Sequence, residues 1–111
     1  MLGPSFTWGA DAALVGIAAA ALDATCEVAG AWAAGNMVDF VSASQRLDRF
    51  AAVTFDRPIE GYVQRMMWVA AGEGLIPDRA ANDPFGPPLP RDERRRVVAA
   101  FDAIRAQPLP T

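Results

Sequence analysis

The sequence predicts a mainly α fold: about four helices in a small bundle, with at most one short strand. Three observations predict it. Apolar residues recur at helical spacing in three segments, 37–55, 59–73 and 91–105. A fourth segment, 18–34, is Ala-rich with few breakers, and Ala has the highest helix propensity. The breakers gather between these segments, at Gly35-Asn36, Arg57-Pro58, Gly72 to Pro77 and Pro84 to Pro90. At 111 residues, 52% hydrophobic and 21% charged, the chain has the length of one domain and enough apolar material for a core.

Residues 1–9 hold Gly3, Pro4 and Gly9 and read as a loop with at most a short strand; Phe6 and Trp8 must then be buried against something or exposed. Residues 12–15, Ala-Ala-Leu-Val, suit a buried strand or the first turns of a helix, because so short a run does not separate the two. The Ala-rich helix ends at Gly35-Asn36, as a left-handed cap would end it. In the next segment Met37, Phe40, Val41, Ser44, Leu47, Ala51 and Phe55 fall on one helical face. Pro58 stops that helix and suits the first turn of the following one. There Ile59, Tyr62, Val63, Met66, Met67 and Ala70 form the stripe, and Gly72 and Gly74 end it, with Leu75-Ile76 as an apolar anchor. Residues 77–90 form a stiff, Pro-rich connector. The last helix carries Val97, Val98, Phe101 and Ile104, with Asp92 and Glu93 near its positive end.

Composition removes several chemistries. All ten basic residues are Arg; the chain has no Lys and no His. Imine formation needs an amine side chain, and Ser-His or Cys-His nucleophile pairs need a His. Cys26 is the only cysteine, so neither an intrachain disulfide nor a multi-Cys metal site is expected, and its Ala-rich surroundings point to a buried structural thiol. Net charge is −3, which argues against a nucleic-acid partner. The one basic run, Arg94-Arg95-Arg96, follows Asp92 and Glu93 and reads as a solvated, partly neutralised face. Residues 12–22 are too short to span a bilayer and lack a basic leader, so the expectation is a cytoplasmic chain without a membrane partner. Carboxylates at helix starts read as caps, Gly72-x-Gly74 as a helix end, and Met66-Met67-Trp68 as core or interface. No metal and no cofactor are expected.

The order of these pieces resembles the end of the dihydrodipicolinate synthase / N-acetylneuraminate lyase family. The resemblance rests on Gly9-Ala10-Asp11-Ala12-Ala13-Leu14-Val15-Gly16, the break at Gly35-Asn36, the Leu- and Phe-rich stretch 47–55, Gly74-Leu75-Ile76 and the connector Asp83-Pro84-Phe85-Gly86-Pro87-Pro88-Leu89-Pro90. It departs at Ala12, where the family has glycine, and at Asp83, where it has arginine. The resemblance implies class I aldolase chemistry on pyruvate-type 2-oxo acids in a (β/α)8 barrel. Residues 1–35 then correspond to the last barrel strand and helix, and 36–76 with 90–106 to a helical extension joined by the connector 77–90. Such a barrel takes about 250 residues, so residues 1–111 are expected to form a single partial domain. The family's imine-forming lysine lies on an earlier strand, and no residue here matches it; no catalytic residue is expected. By resemblance Val15 and Gly16 would line the barrel mouth and touch substrate. Tyr62 is expected to pack. The expected partner is a second copy of the chain or the remainder of a barrel, with Phe6, Trp8, Trp32 and Trp68 as candidate contacts. The alternative is a self-standing helical oligomerisation or interaction module without enzymatic activity.

Overall fold

The computed structural model describes residues 2–11 and 20–107. Among these residues the fold is helical throughout, with no strand: α1 (Leu2–Thr7), α2 (Leu22–Ala33), α3 (Met37–Thr54), α4 (Tyr62–Gly72) and α5 (Glu93–Ala106), with single 3-10 turns at Ile59–Gly61 and Asp78–Ala80. Residues 12–15, left open between strand and helix, lie outside the described residues.

The amino-terminal segment corrects the expected loop, since it forms α1. Pro4 occupies the first turn, where a missing N–H removes no helical bond. Six residues are too few to hold a helix unaided, and tertiary packing supplies the rest. Phe6 is buried against Trp32 of α2 and Phe40 of α3, with ring centroids 6.0 and 6.5 Å away, and Trp32 and Phe40 are 5.1 Å apart. Gly3 is also buried and faces Ser44, so closely that a Cβ there would lie 2.7 Å from the Ser44 hydroxyl. The other aromatic of the segment, Trp8, is 85% exposed.

α2 starts at Leu22, later than the Ala-rich run suggests, because Ala20 and Ala21 are buried in non-helical backbone. Ala21 has φ 50°, a left-handed conformation that costs a residue with a Cβ on the order of 1 kcal/mol or more. Its N–H donates to Glu73 Oε1 at 2.8 Å, and Arg105 holds the other oxygen of that carboxylate at 3.1 Å. A contact spanning 52 residues thus sets where α2 begins, and local propensity carries no trace of it.

Gly35-Asn36 performs two jobs. Gly35, at φ 70°, donates its N–H to Trp32 O, and Asn36 N–H donates to Ala31 O, which closes α2. The Asn36 side chain then accepts from Asp39 N–H and caps α3. The resulting α2–α3 hairpin is tied by Glu27–Arg46 at 3.6 Å, and Arg46 and Arg49 both donate to Gln107 beyond α5. The core runs between the hairpin and α4–α5 through Val28, Leu47, Phe50, Met66, Val69, Val97 and Phe101, with Phe50 and Phe101 rings 4.5 Å apart.

Two further expectations change. Of the predicted α3 stripe, Phe40 and Leu47 are buried, while Met37, Val41 and Phe55 are exposed and Ser42, Ala43, Phe50 and Thr54 take inner positions. The helix contacts α1 and α2 at one end and α4 and α5 at the other, so its buried face shifts along its length. Cys26 is exposed rather than buried: α2 turns Ala24 and Val28 inward and leaves Cys26 outside.

Candidate interaction surface

α4 presents two contrasting flanks. On the first, Arg65 is fully buried (0% exposed). A guanidinium stays charged at any pH a folded protein meets, so its burial must be offset by contacts. Nη1 donates to the carbonyls of Thr54, Asp56 and Pro58 at 3.0, 2.7 and 3.1 Å, and Nη2 donates to Arg57 O at 3.1 Å. Nε donates to Glu93 Oε1 at 3.1 Å, at the start of α5. One side chain thereby binds the carboxyl end of α3, the 55–58 turn and the amino end of α5. Its position at the negative end of α3 also suits the helix dipole.

Gln64 does the same for the connector. Its Nε2 donates to Ala81 O at 2.9 Å, and Asp83 N–H donates to its Oε1 at 2.8 Å. The Pro-rich connector is therefore fastened to α4. At the end of α4, Gly74 (φ 77°) and Leu75 close the helix by donating to Ala71 O and Ala70 O. The chain then turns back so that Ile76 reaches α4. Leu75 of the expected anchor is 62% exposed; only Ile76 packs against the core.

These two anchors shape the second flank. Tyr62, Val63, Met66, Met67 and Ala70 of α4 face Ile76 and Ala80 across an apolar groove of about 470 Å³. Phe55, positioned by the turn that Arg65 holds, stacks on Tyr62 with centroids 5.2 Å apart. Ile59, one turn before Val63, is also exposed. The apolar stripe predicted for residues 59–70 is therefore divided: Met66 and Ala70 reach the core beside Val69 and the buried Arg65, while Tyr62, Val63 and Met67 are half-buried along the groove. The methionines suit such a surface, because unbranched thioethers repack readily around a partner.

The expected site residues are placed as follows. Val15 and Gly16 lie outside the described residues. Tyr62 packs on Phe55 and lines the groove. Phe6, one of four candidate contacts, is buried in the α1–α2–α3 aromatic cluster, and Trp32 stacks beside it; Trp8 is exposed and Trp68 half-buried. Among the described residues no group of three or more His, Cys, Asp or Glu is arranged to hold a metal ion, and no helix is long and apolar enough to cross a membrane. Arg65 and Gln64 are not among the residues that the sequence singles out. The available signal was position: Arg65 and Gln64 directly precede Met66 in a helix whose next buried residue is Val69.

Compared with known proteins, the chain matches no family model, no curated protein and no solved structure.

Proposed function

We propose that the chain is a non-catalytic helical assembly module, built like the carboxyl-terminal helical extension of a pyruvate-type class I aldolase barrel. The observation that carries the assembly role is the α4 groove, an apolar surface held open by polar anchors on either side. With the exposed Phe55 and Ile59 beside it, the groove offers another apolar element a surface on which to pack. The aldolase likeness draws support from the order of elements. Gly35-Asn36 falls between two helices, Gly74-Leu75-Ile76 directly after the next one, and the Pro-rich connector before the closing helix. The polar side chains Arg65, Gln64 and Glu73 are engaged with backbone, which fits a role in packing. With no Lys in the chain, imine chemistry belongs to whatever lysine-bearing barrel the module would cover.

The test is a chimera in which residues 20–107 replace the closing helices of a lysine-bearing pyruvate aldolase. The expected result is a folded protein that traps pyruvate under borohydride, while this chain alone gives no side-chain adduct. A chimera that fails to fold, or an adduct on a side chain of this chain alone, contradicts the aldolase likeness.

A second reading, a self-standing homo-oligomeric module, is favoured by the exposed Phe55, Ile59 and Leu75 near the groove. In both readings the groove lacks its covering element when the chain is alone, so the isolated chain associates with itself.

A further inference from the structure

α4 and the start of α5 flank a second, open and chemically different cleft. Trp68 and Gly72 of α4 and Val98 of α5 form its apolar side, and Arg91, Arg94 and Arg95 form the other. Its volume is about 350 Å³, at the small end of ligand-sized pockets. The sequence suggested that Asp92 and Glu93 neutralise this basic run. The fold divides them: Asp92 stays with the run, 3.7 Å from Arg96, while Glu93 turns inward to the buried Arg65 at 3.1 Å. Arg94 is held by Asp78 at 2.8 Å. Arg91 and Arg95 are exposed and have no ion pair among the described residues; they stand beside an indole, in a cleft whose lining contains no carboxylate.

We infer that this cleft is a binding site for a small molecule consisting of a flat ring that carries a phosphate group. A guanidinium offers forked donors that match phosphate oxygens two at a time, and a phosphate presents enough oxygens to engage Arg91 and Arg95 together. Trp68 and Val98 supply the apolar wall on which a ring rests, and an aromatic face favours both stacking and the neighbouring cations. The small volume fits such a molecule better than a folded partner. On a chain of net charge −3 the cleft is a local exception to the overall sign, so phosphate binding there depends on these arginines and weakens with salt.

The probe is AMP, titrated by isothermal titration calorimetry into the full chain, with adenosine and inorganic phosphate as separate titrants. AMP is expected to bind saturably in the roughly millimolar range or below. Adenosine and phosphate alone are each expected to bind roughly tenfold more weakly or worse. The double variant Arg91→Ala/Arg95→Ala, which removes two exposed side chains without ion pairs, should retain its thermal midpoint and lose roughly tenfold or more in AMP affinity. Trp68→Phe, which keeps a ring in the wall, should retain the phosphate-dependent part of the binding. The inference is overturned if AMP shows no saturable heat, if phosphate alone binds as tightly as AMP, or if the double variant binds AMP unchanged.

Discussion

The two flanks of α4 are built from the same eleven residues and do opposite things. One is closed around a charge: Arg65 is fully buried and engages four backbone carbonyls and a carboxylate. The other is open and apolar, with Val63 and Met67 lining a groove rather than a core. Hydrophobicity alone would bury Val63 and Met67 and expose Arg65. What reverses them is backbone demand. The 54–58 turn leaves carbonyls that need donors, and a long, forked, always-charged side chain meets several of them at once. Val63 and Met67 are then left to serve a surface, while Met66 and Ala70 complete the core.

The sharpest way to break this contrast is to remove the charge. Arg65→Ala leaves the carbonyls of Thr54, Asp56, Arg57 and Pro58 without this donor and Glu93 without its ion partner. The expected loss is about 3–5 kcal/mol in urea unfolding, enough to leave a marginal domain largely unfolded. Replacing both charges, Arg65→Met with Glu93→Met, should recover little, because the carbonyls stay unpaired. Full recovery by the double variant would show that the ion pair, and not the carbonyl cluster, is what Arg65 serves.

Gly3→Ala tests the close approach of α1 to Ser44 of α3. The added methyl meets Ser44 at 2.7 Å, and the expected cost is about 1–3 kcal/mol from overpacking or from undocking of α1. Near-ultraviolet circular dichroism should report the loss of the Phe6–Trp32–Phe40 cluster; an unchanged spectrum and midpoint would mean that α1 contributes little. Asn36→Ala removes the cap of α3 and should cost about 1 kcal/mol by the same unfolding assay.

The open flank should respond least in stability. Val63→Asp and Met67→Asp add charge to partly exposed groove positions, and the unfolding free energy is expected to stay within about 0.5 kcal/mol of the parent. A large loss from either would mean that the groove is core.

How much of this was legible beforehand follows the range of the interactions. The helical class, the break at Gly35-Asn36 and the helices at 37–54, 62–72 and 93–106 come from local pattern and cap chemistry, and the sequence shows them. α1 was not legible, because Gly3 and Pro4 look like a loop until Ser44, Trp32 and Phe40 pack against that segment. The late start of α2 depends on Glu73, and the exposure of Cys26 on which side of an Ala-rich helix faces α3. The roles of Arg65 and Gln64 depend on carbonyls far along the chain. Periodicity located the stripe on α4 without saying whether it meets a core or an open groove. The residues singled out for substrate contact, Val15 and Gly16, lie outside the described residues, and the surface that the fold offers instead is the groove beside Tyr62.

The most direct test of the central claim, that one flank of α4 holds the fold while the other receives a second apolar element, is light scattering across a micromolar concentration series for the parent chain and Met67→Asp. The parent is expected to associate as concentration rises and the variant to stay a monomer. A parent that stays monomeric throughout, or a variant that associates as the parent does, would contradict it.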